Sequence, residues 1–232
     1  MVIYHGSSNI IKRPIYGKGN PNNDYGLGFY CTENIELAKE WSCTNMKFNG
    51  YSNCYEIDLN KYKILDLRKE DYTVLNWIAI LLNFRSFDTN SLIANQAKEY
   101  LIKNFYINID EYDVIIGYRA DDSYFTFAKD FINNNISVEQ LSIALKLGDL
   151  GDQIVFKSKR VIDALKFLDY KVANSGEYYI KRINRDKRAR ELYLNKYRNE
   201  LSIDGLYVLD IMRKELKHGD KIIWWNVFRT SF

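Results

Sequence analysis

The chain opens MVIYHGSS (Met1–Ser8), and the reading of the whole fold turns on these residues. Val2, Ile3 and Tyr4 make a strand, because β-branched and aromatic side chains suit a pleated, half-buried surface. His5 and Gly6 then break the pattern, since glycine weakens a strand and nothing about packing calls for a histidine beside it. The only other histidine is His218, so a histidine cluster does not explain His5. Its purpose depends on what else the chain brings to that strand end.

At 232 residues the chain is long enough to bury a core without staples. Cys31, Cys43 and Cys54 are odd in number and lack the paired short spacing of a zinc or redox site, so reduced thiols and no structural metal are expected. The longest purely apolar run, WIAILL (Trp77–Leu82), is too short to span a bilayer, and no charged start leads into a run of signal-peptide length. A cytoplasmic protein without membrane contact is therefore expected. The net charge is +3, but Lys181–Asn199 holds eight Lys and Arg against Asp186 and Glu191, a net of +6, which leaves −3 for the remainder. A polyanion would be met there.

Along the chain, residues 1–5 read as a strand and the next twenty as a polar, glycine-rich loop. GFYCT returns to a short strand, and Thr32 suits the N-cap of a helix through ENIELAKEWSC, where Ile35, Ala38 and Trp41 recur at helical spacing. NCYEIDLN and YKILDL are strand-like, as a hairpin or a bent strand. Helices fit Tyr72–Phe84 and Ser91–Phe105, and YDVIIGYRA is the strongest strand. SVEQLSIALKLG reads as a helix, DQIVFKS as a strand and KRVIDALKFLDY as a helix. From Lys171 the chain turns more basic, around an amphipathic helix over Arg185–Leu201 with Ala189, Leu192, Tyr193, Tyr197 and Leu201 on one face. The expected organisation is a domain over 1–170 and a basic extension over 171–232.

Three short strands carry unusual polar residues: YHGS, GLGFYCT and DQIVFKS. Their order, with a glycine-rich loop between the first two and a helix opening after the second, resembles the ADP-ribosyltransferase fold of the histidine–tyrosine–glutamate type. The fuller string YHGSSNIIKRP…NNDYGLGFYCT…AKEWS…YDVIIGYRADDSYF…DQIVFKSKRVIDALKF resembles the DUF3990 family of bacterial proteins, grouped with those transferases. The likeness covers roughly residues 2–168 and implies an α+β fold with a split β-sheet core, flanking helices and, beyond it, the basic helical extension.

The resemblance also implies a site. His5 would hydrogen-bond the adenosine-side ribose of NAD+, and the Gly6 backbone would pair with the nicotinamide carboxamide, its missing Cβ letting the ligand approach; Ser7 would add a hydroxyl. Tyr30 would stack on the nicotinamide ring, an aromatic face suited to a cationic pyridinium, with Phe29 in the core. Residues 13–27 would form a mobile flap, with Asn23, Asp24, Gly28 and Phe29 among the cofactor-binding positions. The third motif departs from the pattern: Gln153 stands where the resembled transferases often have glutamate. Its amide oxygen still accepts a ribose hydroxyl, but it supplies a dipole where a full charge would be worth more. Asp121 and Asp122, after the strongest strand, are candidates for a base or for acceptor recognition, and Arg119 for a phosphate contact. Neighbouring aspartates also simply cap and turn.

The function expected from the resemblance is an NAD+-dependent ADP-ribosyltransferase, a toxin of the toxin–antitoxin or phage-defence type restrained by a small antitoxin protein. Lys187, Arg188, Arg190 and Arg198 would meet the phosphates of an RNA or DNA acceptor, favoured over protein, unless they merely solvate a helix face. The alternatives are a binding module for NAD or ADP-ribose without chemistry, which Gln153 supports, and a nucleic-acid-binding protein acting through the basic helix alone.

Overall fold

A computed structural model describes residues 1–87, 91–120, 122–147, 151–198 and 202–223. In chain order the elements are β1 (Val2–Ser7), β2 (Phe29–Cys31), α1 (Ile35–Ser42), β3 (Gly50–Glu56), β4 (Ile64–Asp66), α2 (Val74–Phe84), α3 (Leu92–Phe105) and β5 (Val114–Tyr118). They continue with α4 (Asp122–Ile132), α5 (Val138–Ala144), β6 (Asp152–Phe156), α6 (Lys159–Asp163), β7 (Lys166–Ala173), α7 (Ser175–Tyr193) and α8 (Val208–Arg213). This is a mixed α+β structure in two compact units, and the chain passes between them repeatedly. The first unit takes residues 1–66, 109–119 and 150–185; the second takes 67–108, 120–149 and 186–232. The boundary expected near residue 170 falls within β7.

The first unit contains both sheets. One is antiparallel in the order β1-β3-β7, and the other has the order β2-β6-β5-β4, with only β4 and β5 parallel. They are joined where Tyr4 and Thr32 exchange backbone hydrogen bonds of 2.8 and 2.9 Å. Alternation sends Ile3 of β1, Tyr55 of β3, Cys31 of β2, Val114 of β5 and Ile154 and Phe156 of β6 into one core, closed by Val161 and Ile162 of α6. Asp113 locks this corner. Its carboxylate accepts from Arg160 Nε at 2.7 Å and again from the Arg160 guanidinium terminus, from Ser158 Oγ at 2.5 Å and from the Lys63 amide at 2.9 Å.

The second unit is helical. In α2 the residues Val74 through Leu82 are all buried, as expected of a helix apolar all round. Asn76 Nδ2 donates to His218 Nδ1 at 3.1 Å, and the His218 ring lies parallel to that of Tyr72.

Several local readings are corrected. Asn34, not Thr32, caps α1, accepting from the Glu36 and Leu37 amides, while Thr32 is occupied in the bridge to Tyr4. The segments NCYEIDLN and YKILDL do not pair as a hairpin: β3 joins β1 and β7, and β4 lies beside β5. The helix expected through KRVIDALKFLDY ends at Asp163, and Lys166–Ala173 becomes an edge strand on β3. Backbone pairing overrides its apolar pattern there, for most of β7 is exposed. Asp122 opens α4 rather than sitting in an acidic turn. The basic helix starts at Ser175, ten residues early, and Leu192 on its expected apolar face is exposed.

Candidate functional site

Where β1 meets β2, the first unit holds a partly open cavity of about 390 Å³. His5, Phe29 and Tyr30 line it together with three cations, Arg13, Lys18 and Lys157. The glycine-rich loop supplies most of the rest, from Ile11 to Gly19 and again from Asn23, Leu27 and Gly28. A space of this size lined by aromatic faces and a few cations suits a small molecule carrying a ring and negative charge.

His5 is held by its surroundings. Its Nδ1 lies 2.7 Å from the Tyr30 carbonyl oxygen, which only accepts, so the proton is on Nδ1 and Nε2 is left as an acceptor. Its ring stacks on Phe29 at 4.2 Å between centroids. Burial holds the imidazole below its ordinary pKa, against an opposing pull from the Tyr30 carbonyl, so a neutral ring faces the cavity. Phe29, expected in the core, packs there edge-on to Tyr55 and also lines the cavity, stacked on His5.

Gly6 meets helix α1 at close range. A Cβ built there would stand 2.1 Å from the Ala38 carbonyl oxygen and 2.9 Å from the Ser42 amide nitrogen, so the close approach is by helix α1. Ser7 accepts from the Asn9 amide at 3.2 Å, shaping the first turn of the loop. That turn is fastened by a residue that sequence reasoning misses. Asn53 of β3, wholly buried, donates to the carbonyls of His5 and Asn9 and accepts from the Ile11 amide at 2.8 Å. Only its position in a strand hints at this, because an asparagine there needs a reason.

The loop, expected to be mobile along its length, is fastened to the sheet at its far end. Gly26, at φ +69°, turns the chain so that the Tyr30 hydroxyl donates to its carbonyl at 2.6 Å. The Tyr25 amide donates to the Tyr30 hydroxyl, the Tyr25 hydroxyl donates to the Tyr118 carbonyl at 2.8 Å, and Lys157 Nζ donates to the Tyr25 carbonyl at 2.8 Å. Burial lowers the Lys157 pKa, opposed by Asp110. Asp24 and Gln153, 7% and 4% exposed, meet at 2.7 Å, with Gln153 Nε2 donating to Asp24 Oδ2. They lie beside Tyr30 and are not among the cavity's walls.

The remaining candidates are elsewhere. Asp121 lies outside the described residues, and Asp122 belongs to the second unit. Arg119 lies 4.4 Å over the Trp41 ring, whose indole Nε1 is buried without a partner among the described residues. In the second unit Lys187 pairs with Glu191 at 3.8 Å, Arg190 with Asp186 at 3.0 Å and Arg198 with Asp130 at 3.1 Å, while Arg188 makes no ion pair with a described residue. Among the described residues no group of three or more His, Cys, Asp or Glu is placed to hold a metal ion, and no helix is long and apolar enough to cross a membrane.

Fold and site together define an α+β protein with a partly open, cation-rimmed cavity at the junction of two sheets. The chain belongs to the DUF3990 family of proteins of unknown function, whose model matches residues 1–167. No curated protein and no solved structure matches it.

Proposed function

We propose that this protein is an NAD+-dependent ADP-ribosyltransferase, a toxin of the toxin–antitoxin or phage-defence type that passes ADP-ribose to a macromolecule. The observation that carries the reading is the convergence of His5, Phe29 and Tyr30 with Arg13, Lys18 and Lys157 on one cavity under the glycine-rich loop. In this reading His5 Nε2 accepts a ribose hydroxyl, the three cations meet the pyrophosphate, and the Tyr30 ring faces the nicotinamide. The bond from ribose C1′ to the pyridinium nitrogen breaks, its electron pair leaving with neutral nicotinamide. An acceptor oxygen or nitrogen then bonds to C1′ and loses its proton.

The split sheet, the order of the three motifs and the likeness to the transferases support this reading. A second reading, an NAD- or ADP-ribose-binding module without turnover, is favoured by the neutral amide of Gln153. Incubation with NAD+ separates them. The first expects nicotinamide release, and labelled NAD+ added to cell extract should mark one of the RNA, DNA or protein fractions. Thermal stabilisation by NAD+ without release would establish the second. Neither release nor stabilisation would overturn both.

A further inference from the structure

Gln153 raises a question that the transferase reading leaves open: what supplies negative charge where the resembled enzymes carry a glutamate. From the bonding around it we infer that Asp24 is a positioning residue, which orients the Gln153 amide and adds the missing charge behind it. This inference rests on the transferase reading.

Register places the pair. Tyr30 of β2 stands opposite Val155 of β6, so Gln153, two residues along, shares a face of the sheet with Tyr30. Its Nε2 donates to Asp24 Oδ2 at 2.7 Å and lies 3.5 Å from the Tyr118 carbonyl oxygen. Turning the amide over would set oxygen against carboxylate oxygen, so Asp24 fixes which end points where. Oε1 is turned away and accepts no hydrogen bond from a described residue. In the transferase reading it is the oxygen that a ribose hydroxyl would meet.

Asp24 cannot drift from this place. The next residue, Tyr25, is bound through its amide, its hydroxyl and its carbonyl to Tyr30, Tyr118 and Lys157. Both members of the pair are less than a tenth exposed, and away from water a carboxylate polarises the amide that donates to it more strongly. The amide oxygen thereby gains electron density on the side where an oxocarbenium-like ribose would develop positive charge. The loop and the strand together make a two-residue equivalent of one carboxylate.

The pairing makes an unusual forecast for the obvious swap. Gln153→Glu alone sets a second carboxylate against Asp24, and like charges so close cannot both ionise without penalty. It should lower the rate of nicotinamide release rather than raise it, and the variant's melting temperature should rise on mild acidification as the pair takes up one shared proton. Asp24→Asn should lower kcat by about tenfold or more with KM little changed, since it removes charge acting on the transition state. Exchanging the partners, Asp24→Asn with Gln153→Glu, restores one amide and one carboxylate. The double variant should recover most of the wild-type rate and lose the acid-dependent rise in melting temperature.

The test is nicotinamide release and thermal melting against pH for the wild type, both single variants and the double variant. Recovery in the double variant, beside losses in both single ones, supports the inference. A fully active Asp24→Asn, or one with raised activity and lower KM as a latch would give, overturns it. So does a folded double variant no better than the singles. If the wild type itself releases no nicotinamide, the transferase reading falls first and this inference with it.

Discussion

His5 shows how much a single side chain can be asked to do. One ring nitrogen is spent on the Tyr30 carbonyl, one face is spent on Phe29, and the second nitrogen remains for a ligand. His5→Ala should therefore cost roughly 1–2 kcal/mol of stability for a hydrogen bond and an aromatic contact, measurable by chemical denaturation. It should also remove nearly all nicotinamide release in a protein that still folds. The lowered pKa adds a pH signature. As pH falls from about 6.5, the unfolded chain takes a proton on this ring before the folded chain does. His5 therefore lowers stability over the range down to its folded pKa, and His5→Gln should flatten that part of the stability curve. That the residue is special was legible from its misfit in a strand. Its tautomer was not, because Nδ1 meets a carbonyl 25 residues away in sequence. Asn53 and the Asp24–Gln153 pair were hidden for the same reason, being contacts between distant segments.

At the scale of elements, the corner built on Asp113 ties together three parts of the first unit, β4, β5 and α6. Its carboxylate, at the entrance to β5, holds the Lys63 amide ahead of β4, Ser158 at the cap of α6 and Arg160 within that helix. The Arg160 guanidinium is the main cause that holds its carboxyl well below the usual carboxylate range; the Ser158 hydroxyl and Lys63 amide lower it further, and burial opposes them. A carboxylate with a depressed folded pKa contributes stability that is present above the unfolded pKa of about 3.9 and lost as pH falls from there through the folded value. Asp113→Asn should thus cost about 2–4 kcal/mol at neutral pH, because it strips charge-assisted bonds from a buried acceptor. The gap between wild type and variant in urea melts should close progressively below pH 4. A gap unchanged between pH 7 and pH 3 would assign the stability to packing instead. The same corner explains a misreading. Residues 159–163 cap and coil as expected, but the apolar spacing that seemed to continue the helix belongs to β7, whose place is set by its ladder with β3. Helices with strong caps, such as that after Ser91, were legible to the residue, since Ser91 accepts from the Ala94 amide.

At the scale of the whole molecule, the family match ends at residue 167 while the first unit runs on to Arg185. The basic stretch accordingly begins in one unit and ends in the other. Its net +6 invited a polyanion, but the structure reduces the charge on offer. Lys181 is spent on Glu177, Arg185 on Glu40, Lys187 on Glu191, Arg190 on Asp186 and Arg198 on Asp130, while Arg182 donates to the Cys43 carbonyl and Arg188 is exposed, neither with an ion pair among the described residues. Pairs between exposed side chains are worth little, typically about 0–1 kcal/mol, so the approach of a phosphate can still recruit these cations. Arg185 is the exception. It meets the buried Glu40 of α1 through two 2.8 Å bonds, and belongs to the fold rather than to a ligand. Charge reversal at Lys187, Arg188 and Arg190 therefore spares the structure and tests the surface alone. If the acceptor is nucleic acid, the triple reversal should abolish its labelling from NAD+ and flatten the salt dependence, because every phosphate the helix no longer neutralises keeps about one counterion that binding would have released. Release of nicotinamide to water, which in this reading needs only the cavity of the first unit, should continue at the wild-type rate. Labelling of nucleic acid unchanged by the reversal, or label found on protein alone, would leave the stretch as a solvated helix face. Parallel loss of hydrolysis and labelling would instead tie α7 to the integrity of the site.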